Sequence, residues 1–189
     1  GEDKKGFHTE KAKANTSGLR AVHHLLEEHG SILLIIKQTR DNIGFGAQFN
    51  PKVKSGGRAL TFYATCEVWF SIVGRKRKKV RGNTLITGTT LKAHVKKNRI
   101  AGQDRAAEID FYPSEGIDDV GSCISYLVNW EHWKGSENKV TAPEFDFDGD
   151  KDGLIRLIES GDRERDLRLL VSEVWHDIES ATAVDRKNR

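Results

Sequence analysis

Methionine is absent from all 189 residues and the chain opens on Gly1, so we expect an excised or processed chain rather than a primary translation product. Cysteine is confined to Cys66 and Cys123. With no CxxC pair and no nearby histidine pattern, neither a disulfide framework nor a zinc site is indicated, and a reduced, cytoplasmic setting is the expectation. The longest apolar run, Ile32 to Ile36, is far too short to cross a bilayer. No charged-then-apolar leader opens the chain, and no membrane partner is expected. Neither sign of charge dominates: the net value is +3, which does not by itself identify a polyanion partner. What remains is 37% hydrophobic and 31% charged, the mixture of a soluble globular protein. At about 100 to 200 residues per domain, that suggests one main domain with a small appendage. There is no internal repeat.

Along the chain, Leu19, Val22, Leu25 and Leu26 recur at helical spacing, and Gly30 stops that helix after His29. Ser31 to Lys37 reads SILLIIK, a continuous aliphatic run of strand length, as for a strand covered on both faces in a parallel sheet. Gln38 to Gly57 carries glycines and cations without a period, which predicts a long mobile loop of functional length. Arg58 to Ala64 reads as a short helix. Cys66 to Val73, Thr84 to Lys97 and Ala107 to Tyr112 are rich in β-branched and aromatic residues and predict an antiparallel extension of the sheet. The first turn of that extension, GRKRKKVRG from Gly74 to Gly82, holds six cations. Ile117 to Trp130 predicts a helix led by Asp118 and Asp119. Trp133 to Pro143 is polar and irregular, a candidate boundary, with helices following over Gly153 to Ser160 and Arg163 to Ile178. The expected fold class is therefore α/β, a partial parallel sheet with an antiparallel extension over residues 1–133 and a helical subdomain over 134–189.

Several residues stand out for their chemistry. Gln38 closes the aliphatic run, where open α/β sheets place ligands, so its amide can meet a phosphate oxygen. In the loop, Arg40, Lys52 and Lys54 can neutralise backbone phosphates, while Phe45 and Phe49 offer stacking surfaces for unpaired bases. Gly44, Gly46, Gly56 and Gly57 permit close backbone approach to a nucleic acid. Lys97 and Arg99 alternate on one strand face, a paired cation site. The cluster from Arg75 to Arg81, with Arg75, Lys76 and Arg77 at its start, is either a sequence-blind contact for duplex DNA or a solubilising turn. Asp148, Asp150, Asp152 and Glu159 fit a calcium-loop pattern at positions 1, 3, 5 and 12. The same acids could instead cap and charge-stabilise the next helix. The four tryptophans, Trp69, Trp130, Trp133 and Trp175, read as packing anchors.

Three segments in order, LLIIKQTRDNIG at Leu33 to Gly44, SGGRALTFYAT at Ser55 to Thr65 and VKKNRIAG at Val95 to Gly102, resemble the second half of the RecA/RadA recombinase core. The resemblance runs over about Thr9 to Trp133. It implies that Gln38 senses the γ-phosphate of ATP and couples it to the DNA-binding loop, and that Lys97 and Arg99 act in trans on a neighbouring subunit's ATP. It further implies single-stranded DNA as a partner, a homo-oligomeric filament, and ATP with Mg as the cofactors of the intact parent. A GxxxxGK[ST] phosphate loop is absent from the sequence, as is an aliphatic strand ending in aspartate. The expectation is truncation upstream, with no ATP hydrolysis by this chain alone and no tightly bound cofactor. The alternative expectation is a non-enzymatic DNA-binding accessory or a calcium-binding interaction module.

Overall fold

The computed structural model describes residues 3–41, 52–54, 57–102, 104–136 and 139–183. They divide into two compact units, one formed by Gly1–Glu67 with Lys97–Gln103, the other by Val68–Lys96 with Asp104–Arg189. The class is mixed α/β, and each strand pair of resolved register is antiparallel.

The first unit opens with α1 (Asp3–Glu28). Its end is set by Gly30, whose φ of 56° lies in the left-handed region that glycine enters without a Cβ penalty. That turn lets the Ser31 amide donate to Leu26 O at 3.0 Å and the Gly30 amide to Glu27 O at 3.4 Å, the paired closure of a Schellman motif. The expected strand over Ser31 to Lys37 is not formed. Residues 31–38 carry neither helix nor ladder, and Ile32, Leu34 and Ile36 are 95%, 82% and 88% exposed. A strand is completed by its neighbours' donors and acceptors, and among the described residues none pairs with this segment.

The expected long loop is closed at its base. β1 (Thr39–Asp41) pairs antiparallel with β2 (Lys52–Lys54), setting Thr39 opposite Lys54, Arg40 opposite Val53 and Asp41 opposite Lys52. α2 (Gly57–Tyr63) follows and packs on α1, with the rings of His23 and Tyr63 6.0 Å apart.

The second unit takes all but the first two residues of β3 (Cys66–Val80) and all but the last two of β4 (Asn83–Asn98). Only Arg81 and Gly82 separate them, both at positive φ, 49° and 84°, as a two-residue turn matched to strand twist requires. The expected basic hairpin tip is thereby corrected: five of its six cations, Arg75 to Lys79, lie within β3, and only Arg81 lies in the turn. Long cationic stems tolerate an exposed ribbon because they keep their charge in water, so charge density alone does not end a strand.

β5 (Arg105–Tyr112) pairs with β4 from Thr89↔Phe111 to Val95↔Arg105, and β6 (Gly116–Asp118) pairs with β5. Gly88 is forced by this packing, since a Cβ there would lie 2.7 Å from Phe111 O and from the Tyr112 ring. α3 (Asp119–Asn129) starts where its acids predict, with the Asp118 carboxylate accepting from Gly121 N at 2.7 Å.

The stretch expected to be irregular forms a small sheet instead. β7 (Lys134–Gly135), β8 (Lys139–Ala142) and β9 (Phe147–Asp150) are antiparallel neighbours, with a single 3-10 turn over Pro143–Phe145. The cause is a short alternation: Val140 and Ala142 are fully buried while Lys139 is exposed. α4 (Lys151–Ser160) and α5 (Glu164–Ala181) complete the unit. Ile124 and Leu127 of α3, Trp133, Val140, Leu154 and Ile158 of α4 and Leu167 of α5 share one core. Arg105 at the start of β5 grips Glu179 of α5 with two donors, Nη2 at 2.9 Å. Of the four tryptophans, Trp133 is a buried anchor, while Trp130 is half exposed and Trp69 lies under the Lys96 ammonium at 5.3 Å.

Candidate nucleic-acid interface

A helix ends with carbonyls that have no partner inside it, and α2 is short enough that these form much of its polar surface. Two side chains supply donors. The Lys97 ammonium donates to Thr61 O and, at 3.3 Å, to Phe62 O. The Arg99 guanidinium donates to Phe62 O at 2.8 Å and lies 5.8 Å from the Phe62 ring centre, and its amide donates to Thr65 O at 3.0 Å. Positive charge at a helix C-terminus meets the negative end of the helix dipole. The expected single strand face is not what pairs them: Lys97 is the penultimate residue of β4 and Arg99 lies just beyond its end, where Asn98 turns the chain by accepting from the amides of Ile100 and Ala101 at 3.0 and 3.1 Å.

This brings together residues that sequence expectation treated separately: Lys97 and Arg99 hold the helix that closes the 38–57 segment. Gln38 is exposed immediately before β1. Arg40, Lys52 and Lys54 are drawn to one short ladder by its register, and Gly57 begins α2. Phe45, Phe49, Gly44, Gly46 and Gly56 lie outside the described residues.

In the second unit, Arg75 and Arg77 are exposed on β3 and Lys76 between them is half-buried, as the period of two requires. The Lys76 ammonium lies 2.7 Å from a carboxylate oxygen of Asp110, which is only 4% exposed. Thr90 Oγ1 donates to the other Asp110 oxygen at 2.8 Å, and the Asp110 amide donates to Ser122 Oγ at 2.9 Å. Lys151 of α4 stands 3.9 Å from the same carboxylate and donates to Ser125 Oγ at 2.7 Å. Burial holds Lys151 below the ordinary lysine range, against the pull of Asp110. Sequence reading missed Asp110 and Lys151. The signal for Asp110 is a carboxylate flanked by Ile109 and Phe111 in a strand, but its lysine partners are remote in sequence.

The acids of the calcium pattern do not converge. Asp148 in β9 accepts from Thr141 Oγ1 at 3.2 Å and pairs with Lys139 at 3.3 Å. Asp150 caps α4 by accepting from Gly153 N at 2.7 Å, and Asp152 and Glu159 are exposed on α4. Among the described residues no three His, Cys, Asp or Glu side chains are placed to share a metal ion. The capping alternative is what this geometry displays. Burial pushes the Cys123 thiol up to about 11, so it is neutral at physiological pH and a poor nucleophile.

Residues 1–118, which carry α1 through β6, match the family model described as the RecA N-terminal domain, and the chain belongs to the RecA family. Among its relatives, protein RecA of Mycoplasma mycoides is 30% identical over 122 residues, covering 64% of this chain and 33% of that protein. Protein RecA of Lactiplantibacillus pentosus is 32% identical over 115 residues, 60% of this chain and 29% of that protein. Protein RecA of Helicobacter pylori strain G27 is 32% identical over 117 residues, 62% and 33% respectively. The chain thus spans about a third of the length of the curated relatives it matches. No helix among the described residues is long and apolar enough to cross a membrane.

Proposed function

We propose that this chain is the DNA-binding and subunit-contacting latter half of a RecA-type recombinase core. In the intact cytoplasmic protein it binds single-stranded DNA and takes part in ATP-dependent homologous pairing and strand exchange within a filament. The observation that carries the reading is the grip of Lys97 and Arg99 on the carbonyl end of α2. A guanidinium has five donors, so Arg99 can hold the Phe62 carbonyl and still meet an anion. A phosphate reaching Arg99 is then linked through α2 to the segment that α2 closes, and Gln38 at the other end of that segment offers an amide to the same charge. The residues fit one edge of a nucleotide, its terminal phosphate. ATP when bound would supply that charge, while magnesium finds no converging carboxylates among the described residues. In this reading hydrolysis belongs to the parent protein, since the phosphate loop is absent from this sequence.

Arg40, Lys52 and Lys54 follow the phosphates of a single strand, and Phe45 and Phe49 stack on its bases. Arg75 and Arg77 contact duplex DNA. The register of β4 with β5 ends at Thr89, so the basic part of β3 forms a two-stranded ribbon with the start of β4, slim enough for a duplex groove. Fluorescence anisotropy with a labelled single strand tests the loop in the full chain. Replacing Arg40, Lys52 and Lys54 together by alanine is expected to weaken binding and flatten the log–log salt slope by about 2, at ~0.7 per lost phosphate contact. Unchanged affinity and slope would remove the segment from the DNA path.

A further inference from the structure

The basic strand presents a problem of aim. Five successive cations on a two-stranded ribbon repel one another, and long side chains on such a ribbon have many rotamers. One of the five is different. Lys76 turns away from its neighbours and puts its ammonium 2.7 Å from Asp110 Oδ2, while Arg75 and Arg77 are exposed. Asp110 is itself held by three elements: Thr90 Oγ1 of β4 donates to its other oxygen at 2.8 Å, Ser122 Oγ of α3 accepts from its amide at 2.9 Å, and Lys151 of α4 lies 3.9 Å away. A carboxylate so fixed is a rigid anchor, and taking it out of water is tolerable because it is both paired and hydrogen-bonded.

We propose that Asp110 is a positioning residue for DNA contact: by holding Lys76 on the inner side of β3 it fixes the strand so that Arg75 and Arg77 face the duplex, and Lys76 makes no phosphate contact of its own. This rests on the duplex reading of Arg75 and Arg77. It also departs from the simplest electrostatic expectation. If Lys76 were a direct contact, removing the negative charge of Asp110 would free a cation and strengthen DNA binding.

The anchor gives the opposite sign. In the full chain, with a labelled oligonucleotide duplex followed by anisotropy over a salt series, Asp110→Asn should weaken binding several-fold and Lys76→Met should weaken it to a similar extent. The double exchange of Lys76→Asp with Asp110→Lys should recover most of the loss, because the pair is restored with its charges swapped. A direct contact predicts instead that Asp110→Asn tightens binding, and that the exchange, which sets a carboxylate on β3, binds worse than either single change. Either result would overturn the anchor. Should Asp110→Asn fail to fold by circular dichroism, the exchanged pair decides by the same criterion. Arg75→Ala and Arg77→Ala test the underlying reading separately, each flattening the salt slope by about 0.9. Silence at both arginines sinks the duplex contact itself, whereas a response there without weakening in Asp110→Asn sinks only the anchor.

Discussion

The run from Ile32 to Ile36 and the inner face of α3 are built from similar side chains and meet opposite fates. Ile32, Leu34 and Ile36 stand in solvent, whereas Ile124 and Leu127 are sealed. The difference is in what surrounds them. A helix satisfies its own backbone, so α3 needs only an apolar neighbour, and β8, α4 and α5 provide one. An extended segment needs a ladder partner for its backbone before its side chains can be covered, and the described part of the first unit supplies none for residues 31–38. Apolarity in a sequence is thus a demand for burial, and whether the demand is met depends on partners that the segment itself does not encode.

The sharpest way to break this contrast is to truncate one side chain of each kind. Leu127→Ala opens a cavity in the shared core and should cost about 2–5 kcal/mol. Leu34→Ala removes a solvated side chain and should change stability by less than ~0.5 kcal/mol. Urea unfolding of the full chain, followed by tryptophan fluorescence, measures both. A loss at Leu34 comparable to that at Leu127 would mean that the run is covered in solution, and the contrast would fall.

A smaller effect is expected where the first unit does complete itself. Replacing Lys97 and Arg99 by methionine keeps most of the stem and removes the charge that caps α2, at about 0.3–1 kcal/mol for each cation near a helix end. The loss should be local, read as faster amide exchange over residues 57–65 with the second unit's core unchanged. Exchange that stays slow there would show that α2 holds without its cations, and would weaken the proposed link between a bound phosphate and the 38–57 segment.

Much of this was legible in residue order, and the misses have definite causes. The helix stop at Gly30, the acidic start of α3 and the strands around Trp69, Lys92 and Ile109 follow from local rules of turn, cap and alternation. The cap of α4 by Asp150 was one of two readings of an acidic pattern, and only geometry could choose. The strand over 31–37 failed because pairing is not local. The hairpin tip failed because a run of cations was taken as a turn when Arg81 and Gly82 alone make it. β8 was overlooked because four residues carry too little pattern. Lys97 and Arg99 were singled out for their spacing, but that they hold α2 depends on a contact across more than thirty residues, as does the tie from Lys76 to Asp110.

The smallest expected effect concerns acid, and it belongs to the second unit. Glu144 links the end of α3 to the small sheet: His132 Nε2 lies 2.7 Å from Oε1, and the Trp133 indole N–H donates to Oε2 at 2.7 Å. Burial alone would push the Glu144 carboxyl up. A backbone hydrogen bond together with Trp133 and His132 outweighs it and leaves the group below its ordinary value of 4.5. A carboxylate whose folded value lies below its unfolded one adds stability above the unfolded value and loses it as pH falls through the folded one. The contribution should therefore be complete above 4.5 and fade below it. Because the side chain is substantially exposed, solvent screening keeps it small. Glu144→Gln retains an acceptor for the indole but not the charge. The melting temperatures of the two proteins should differ at about pH 7 and converge toward about pH 3, the background from other carboxylates cancelling in the difference. A constant gap across that range would mean that the loop is held by the hydrogen bonds and not by the charge.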